Sequence, residues 1–273
     1  GARQRVEVML ADSTLTMASQ GLEFQQLNGQ LKFDERQGLS AKNLNGELFQ
    51  QPFSANIASN LAAKTTRVQA KGAAAAGDLA DWIKRPELKF VDGILPFNAE
   101  LTLFHGETKP DKARLQISSN LLGASVSLPA PFAKTATQER SLAVDVGVAE
   151  SSTHYSINYA DQAHFELLQS SSESPRMALG LQQPAKLPEL ASFNIAGQVK
   201  YFDFLTWRET YQRYQGFAER LITAQQLTMS KGEIAQSALS SESLKVDFNA
   251  RVESFVLGNF KLENLLLSGG YSN

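Results

Sequence analysis

His154 and His164 stand ten residues apart (164 − 154 = 10) in a 273-residue chain with one further histidine, His105. By type they come nearest to a metal pair, because a neutral imidazole is a common ligand. His154 lies beside Tyr155 and His164 precedes Phe165, and a surface or strand-edge role fits both better. Asp and Glu are scattered, with no pair singled out by spacing. Glycosidase carboxylates can lie far apart in sequence, yet nothing here argues for that chemistry. Cysteine is absent, which removes disulfides, thiolate metal sites and a thiol nucleophile. The motifs HExxH, GxGxxG, GxSxG and Walker A are missing too. The sequence offers no catalytic centre and calls for no metal or cofactor.

Composition narrows the partners. Lys and Arg total 26 against 28 Asp and Glu, and no basic block stands out, so the electrostatic footprint of a nucleic-acid binder is missing. No apolar run approaches the roughly 18 residues of a membrane span. Gly1-Ala2-Arg3-Gln4 is no signal peptide; any anchor or targeting part is expected outside these residues.

The elements that remain are strands. RVEVML puts Val6, Val8 and Leu10 on one face, and the same period of two recurs along the chain. It sets apart Leu31 and Phe33; Leu101 and Leu103; Leu115 and Ile117; Val126 and Leu128; Val144 and Val146. Ile157, Ile195, Val246, Phe248 and Val252 continue the habit. Turn chemistry separates these runs, as in the Phe104–Asp111 loop with Gly106 and Pro110. The pattern predicts a mainly β, antiparallel protein with one apolar face per strand.

Two segments break the period. Gly77–Leu88 predicts a short helix with Asp78 as N-cap and Pro86 as terminator. From Asp203, the residues Phe204, Trp207, Tyr211, Tyr214 and Ala218 recur at helical spacing and predict a longer amphipathic helix, with Gly216 weakening its second half. Asp78–Trp82 and Asp203–Trp207 share the pattern Asp-x-x-x-Trp, and their tryptophans are the chain's only two, 207 − 82 = 125 residues apart. This predicts a degenerate repeat. Residues 1–90 form a first strand-rich unit, 91–221 a second, and 222–273 begin a third. The aromatic face of the longer helix can be core, a lid, or a membrane-interface contact.

SLPAPFAK, Ser127 to Lys134, halts a strand with Pro129 and Pro131, since proline has no N–H to extend a ladder. Two readings stay open. The prolines end a strand and tuck Phe132 into the core, or they form a rigid lip with Phe132 guarding it and Lys134 near lipid phosphates.

The same stretch carries a resemblance. Ser119-Asn120-Leu121-Leu122-Gly123, followed by Leu128-Pro129-Ala130-Pro131-Phe132-Ala133-Lys134, resembles the YhdP family of AsmA-like envelope proteins of Gram-negative bacteria. Leu27–Phe53 is similar to that family's strand, Gly-Leu turn, strand unit. The resemblance implies a sheet bent into an elongated open trough with an apolar lining, all units joined in one trough. It also implies a periplasmic body with an inner-membrane anchor outside these residues, carrying phospholipid between the membranes without enzymatic activity. Membrane-embedded partners at either end would belong to that picture. On this reading the strand residues named above line the groove, and Phe132, Lys134, Trp82, Trp207, Tyr211 and Tyr214 form its lip or lid. Two rivals stand beside it: a structural or adhesive β-sandwich with a dry core, and a carbohydrate-active β enzyme.

Overall fold

The computed structural model describes residues 4–106, 111–229 and 245–271; the predicted loop at 107–110 lies outside the described residues. Fifteen strands build one open sheet. In chain order β1 is Arg5–Met17, β2 Leu22–Asp34, β3 Gly38–Leu48, β4 Gln51–Asn60 and β5 Thr65–Ala75. Next come β6 Val91–Phe104, β7 Asp111–Ser119, the short β8 Ala124–Val126, β9 Leu142–Ala149 and β10 Ser152–Tyr159. The last are β11 Ala163–Ser170, β12 Arg176–Leu181, β13 Phe193–Asp203, β14 Val246–Leu257 and β15 Phe260–Tyr271. Neighbours in sequence are neighbours in the sheet, except that β8 leaves the path to pair with the start of β6.

A single layer leaves much surface. The chain exposes 17798 Å², whereas a compact protein of 29.9 kDa would expose about 11,700 Å². No large side chain is fully buried among the described residues. A closed sandwich would have covered one face with a second sheet, and this fold does not.

Most pairings are antiparallel, but β12–β13 and β13–β14 run parallel. Strand alternation carries no information about direction, so the sequence alone predicts neither. The chain returns from β12 to β13 through Gln182–Ser192, and it passes very close to the sheet. A Cβ at Gly197 would lie 2.0 Å from the Leu181 carbonyl oxygen, and one at Gly180 would lie 2.2 Å from that of Gln183. Only glycine fits this crossover.

Both predicted helices form. The first, α1, is Ala76–Ile83, stopped by Lys84 in the left-handed conformation ahead of Pro86. Its N-cap is Ala75, not the expected Asp78, which sits in the first turn and favours the helix dipole from there. The second, α2, is Phe204–Met229, running straight through Gly216. Here Asp203 does cap, its Oδ1 accepting from the backbone N–H of Leu205 and Thr206. The matched aspartates therefore play different parts.

The matched tryptophans play similar ones. Trp82 packs on Phe49, in the turn between β3 and β4, and donates from Nε1 to the Gln20 carbonyl between β1 and β2. Trp207 stacks on Phe202 and meets Phe132 edge-on. Each pins its helix to one rim of the sheet, where β5, β7, β10 and β13 end.

Candidate functional site

Cross-strand partners share a face of a sheet, so the register follows single rows of side chains across the protein. One row runs from Val8 on β1 through Leu31, Ala41, Ile57, Val68, Leu101 and Leu115 to Val146 on β9. It continues through Tyr155, Leu167, Met177, Phe193 and Val246 to Tyr271 on β15. Every strand on the path contributes one residue, and none is charged. A second row, two residues along, takes in Leu44, Ala55, Ala70, Ala99, Ile117 and Val144. Ile157, Phe165, Leu179, Ile195 and Phe248 extend it. Path spacing of about 4.8 Å makes the rows roughly 60 Å long. Most of these side chains are only half-buried. The tightest packing on this face is the cluster of Ala41, Leu44 and Ala55 with Leu31, Phe53 and Ile57 around it.

All the lining residues expected from sequence share this face except Val126 and Leu128. Phe33 and Leu103 extend it toward one rim, and Val252, opposite Val199, toward the other. Val126 lies on β8, pairs with Val91 and is buried under the loop that follows. Leu128 belongs to that same loop, off the main path. Sequence reasoning missed Ile57, Val68, Phe165, Leu167, Met177 and Leu179. In β4 and β5 the apolar positions are diluted by alanine, and in β11 consecutive Leu167-Leu168 hides the period.

The segment between β7 and β9 overhangs the apolar face. Tyr159 lies opposite Leu142 and Ala163 on that face, and its hydroxyl donates to the Phe132 carbonyl while accepting from Arg140. At the tip, Ala130–Pro131 is cis and Phe132 N–H closes a turn onto the Pro129 carbonyl. Phe132 reaches over to Trp207 at 5.8 Å between centroids, while Phe90, just before β6, meets Phe217 of α2 at 5.5 Å. Overhang and helix thus hold each other along one wall. Tyr211 and Tyr214 stack at 6.4 Å on α2, Tyr211 turned largely to solvent.

Lys134 differs from its expected role. It is 3 % exposed, and its ammonium donates to the carbonyls of Leu121 (2.6 Å), Ala124 (2.5 Å) and Thr135 (2.9 Å). Burial, then the nearby charge of Arg140, pushes it below the ordinary lysine range. It is the internal clamp of the overhang and does not face lipid phosphates.

The opposite face is polar. Arg67 pairs with Glu100 at 3.0 Å, Arg114 with Asp145 at 2.8 Å, and His154 with Glu166 at 2.7 Å. His164 Nδ1 bonds Asn158, and His105 Nε2 bonds Thr66. Each histidine thus has a protein partner, and no cluster suited to a metal forms among the described residues. The Asp145 carboxyl is held below its ordinary range, first by the Arg114 hydrogen bond, with burial opposing and Gln116 assisting. Its folded value is depressed, so the stabilisation is present above the unfolded value and lost as pH falls through the folded one. Arg114 is half exposed, which limits the pair to about 1 kcal/mol. Asp145→Asn is expected to cost about that much near neutral pH, the deficit starting to shrink only as pH falls below about 4 and closing below the depressed folded value; urea unfolding at neutral and at strongly acid pH checks it.

An open, single-layered β-sheet whose apolar face is left as surface, with helices along one rim, defines a class of groove-bearing β proteins. The family described as YhdP protein matches residues 1–271, and the chain belongs to that family. A search of curated proteins and a search of solved structures each returned no match.

Proposed function

We propose that the apolar face binds and conducts phospholipid acyl chains in a non-enzymatic protein of the periplasm, supporting lipid movement from the inner to the outer membrane. The unbroken apolar rows carry this reading. In a globular protein such residues would lie under a second layer; here about 60 Å of them stay open along the path. Family membership supports the same reading. No described helix is long and apolar enough to cross a membrane.

The mechanism follows from the lining. Each methylene moved from water onto the face contributes about 0.8 kcal/mol, and leucine, valine and isoleucine offer no fixed polar anchor. Tails are held by area and slide along the rows. Headgroups remain at the open rim, since burying a charge without partners is costly. Phe132, Trp207, Tyr211 and Tyr214 edge the groove, and Trp82 does so nearer β1. Protein purified under mild conditions should carry phospholipid detectable after solvent extraction. Folded protein without bound lipid would count against the proposal and favour a structural module.

A further inference from the structure

Arg140 lies at the foot of the overhang, on the apolar side of the sheet. Its guanidinium carbon sits 5.2 Å from the ring centroid of Tyr159. Tyr159 is the last residue of β10, two residues or about 7 Å along the strand from Ile157 in the apolar row. Nη1 of Arg140 is 3.2 Å from the carbonyls of Pro131 and Phe132, 3.1 Å from the Tyr159 hydroxyl and 3.0 Å from Gln162 Oε1. Because a guanidinium is planar and rigid, these partners fix the whole group through one nitrogen.

The other edge is unused. Among the described residues, Nε and Nη2 of Arg140 have no hydrogen-bond partner, and no carboxylate pairs with the side chain. Arg114 shows what such an edge takes: its Nε and Nη2 hold the two oxygens of Asp145 at 2.9 and 2.8 Å. This fork suits a phosphate as well as a carboxylate. Two neighbours deepen the shortage of acceptors and of negative charge. Trp207, edge-on to Phe132, has its indole N–H buried without a partner among the described residues. Lys134 is buried too, and its ammonium meets carbonyls alone. Two cations and an orphan donor share this wall, and no carboxylate is paired with either cation.

We propose that the Nε–Nη2 edge of Arg140 binds the phosphate of a phospholipid whose acyl chains lie on the neighbouring apolar rows. This rests on the acyl-chain reading above and adds a fixed station for the headgroup. A phosphodiester supplies what the wall lacks, a full negative charge with acceptor oxygens on one atom. Arg140 stands where β10 ends, near the rim, so the rest of the headgroup keeps its water. Tails slide along the rows, and each lipid pauses where its phosphate meets Arg140.

The test compares dihexanoyl phosphatidylglycerol with dihexanoylglycerol, which has the same tails and no phosphate, by calorimetric titration of the full chain. The phospholipid is expected to bind at least about tenfold more tightly. Arg140→Gln should abolish that preference and leave the diacylglycerol affinity unchanged. Arg140→Lys, which keeps the charge and loses the fork, should restore part of it. Nη1 also ties the overhang, so circular dichroism checks the fold, and the unchanged diacylglycerol affinity shows an intact groove. Glycerophosphoglycerol, the same headgroup without tails, should bind at least about tenfold more weakly than the lipid. Equal binding of the two lipids by the unaltered protein, or parallel loss of both in Arg140→Gln, overturns this inference and leaves the groove standing. Headgroup alone binding as tightly as the lipid also overturns it, in favour of a site for free phosphate esters. If neither lipid binds, the acyl-chain reading fails and this inference fails with it.

Discussion

Leu101→Glu is expected to stop phospholipid passage while leaving the protein folded. Leu101 stands mid-row between Val68 and Leu115, half-buried and uncovered by any second layer. A charged side chain set among acyl chains costs about 2.5–3.5 kcal/mol. At 1.4 kcal/mol per tenfold, tail occupancy at that point falls about 100-fold. Every row crosses β6, where Leu101 lies between Ala99 and Leu103, so a glutamate at 101 obstructs the path at that crossing. The fold loses less, on the order of 1–2 kcal/mol, since the glutamate can reach solvent. Complementation of a strain lacking the protein, scored as outer-membrane permeability to detergent, should fail with Leu101→Glu and succeed with Leu101→Met. Full complementation by folded Leu101→Glu would contradict a continuous acyl path.

Lys134→Met is expected to be the most damaging single change to the overhang. Methionine fills similar space and removes only the ammonium. That takes a charged donor from the carbonyls of Leu121, Ala124 and Thr135; Leu121 and Thr135 keep the backbone N–H groups of Ala124 and Gln138. Hydrogen bonds from a charged donor are worth about 1.5–3 kcal/mol apiece, and a buried acceptor left bare loses its solvation as well. Burial of the lysine is itself costly, which offsets part of the gain. A net loss of about 1–3 kcal/mol follows. The overhang loosens first, because it is tied to the sheet mainly through Tyr159 and the short β6–β8 pairing. Hydrogen exchange should rise at Ala124 and Val126 before it rises in β7 or β9. Uniform exchange across the sheet, with the overhang as protected as before, would contradict the clamp.

The strands were legible where branched residues alternate with polar ones. Val144-Asp145-Val146 in β9 and Leu115-Gln116-Ile117 in β7 spell out both faces at once. β4 and β5 were less so, because Ala55 and Ala70 pack beneath larger neighbours and announce no face. The parallel turn-back at β13 rests on Gly180 and Gly197, whose need for close approach is visible only in three dimensions. Lys134 follows Pro131, Phe132 and Ala133 like a surface residue; only the bridge between Val126 and Lys134 folds it inward. The polar face left a faint trace that went unread. Arg67-Val68-Gln69 and Arg114-Leu115-Gln116 are the same pattern on alternate strands of the path, each facing a carboxylate.

The central claim is that lipid runs over one face of this sheet. Ile117 lies on the apolar face opposite Ala99 and Val144; its neighbour Gln116 points the other way, bonded to Asp145. A photoreactive residue placed at 117 or at 116 in the intact protein, in living cells, samples the two faces one residue apart. Phospholipid crosslinked at 117 and absent at 116 is the predicted result. Silence at 117 in a folded, expressed protein, or equal labelling at both positions, would contradict it.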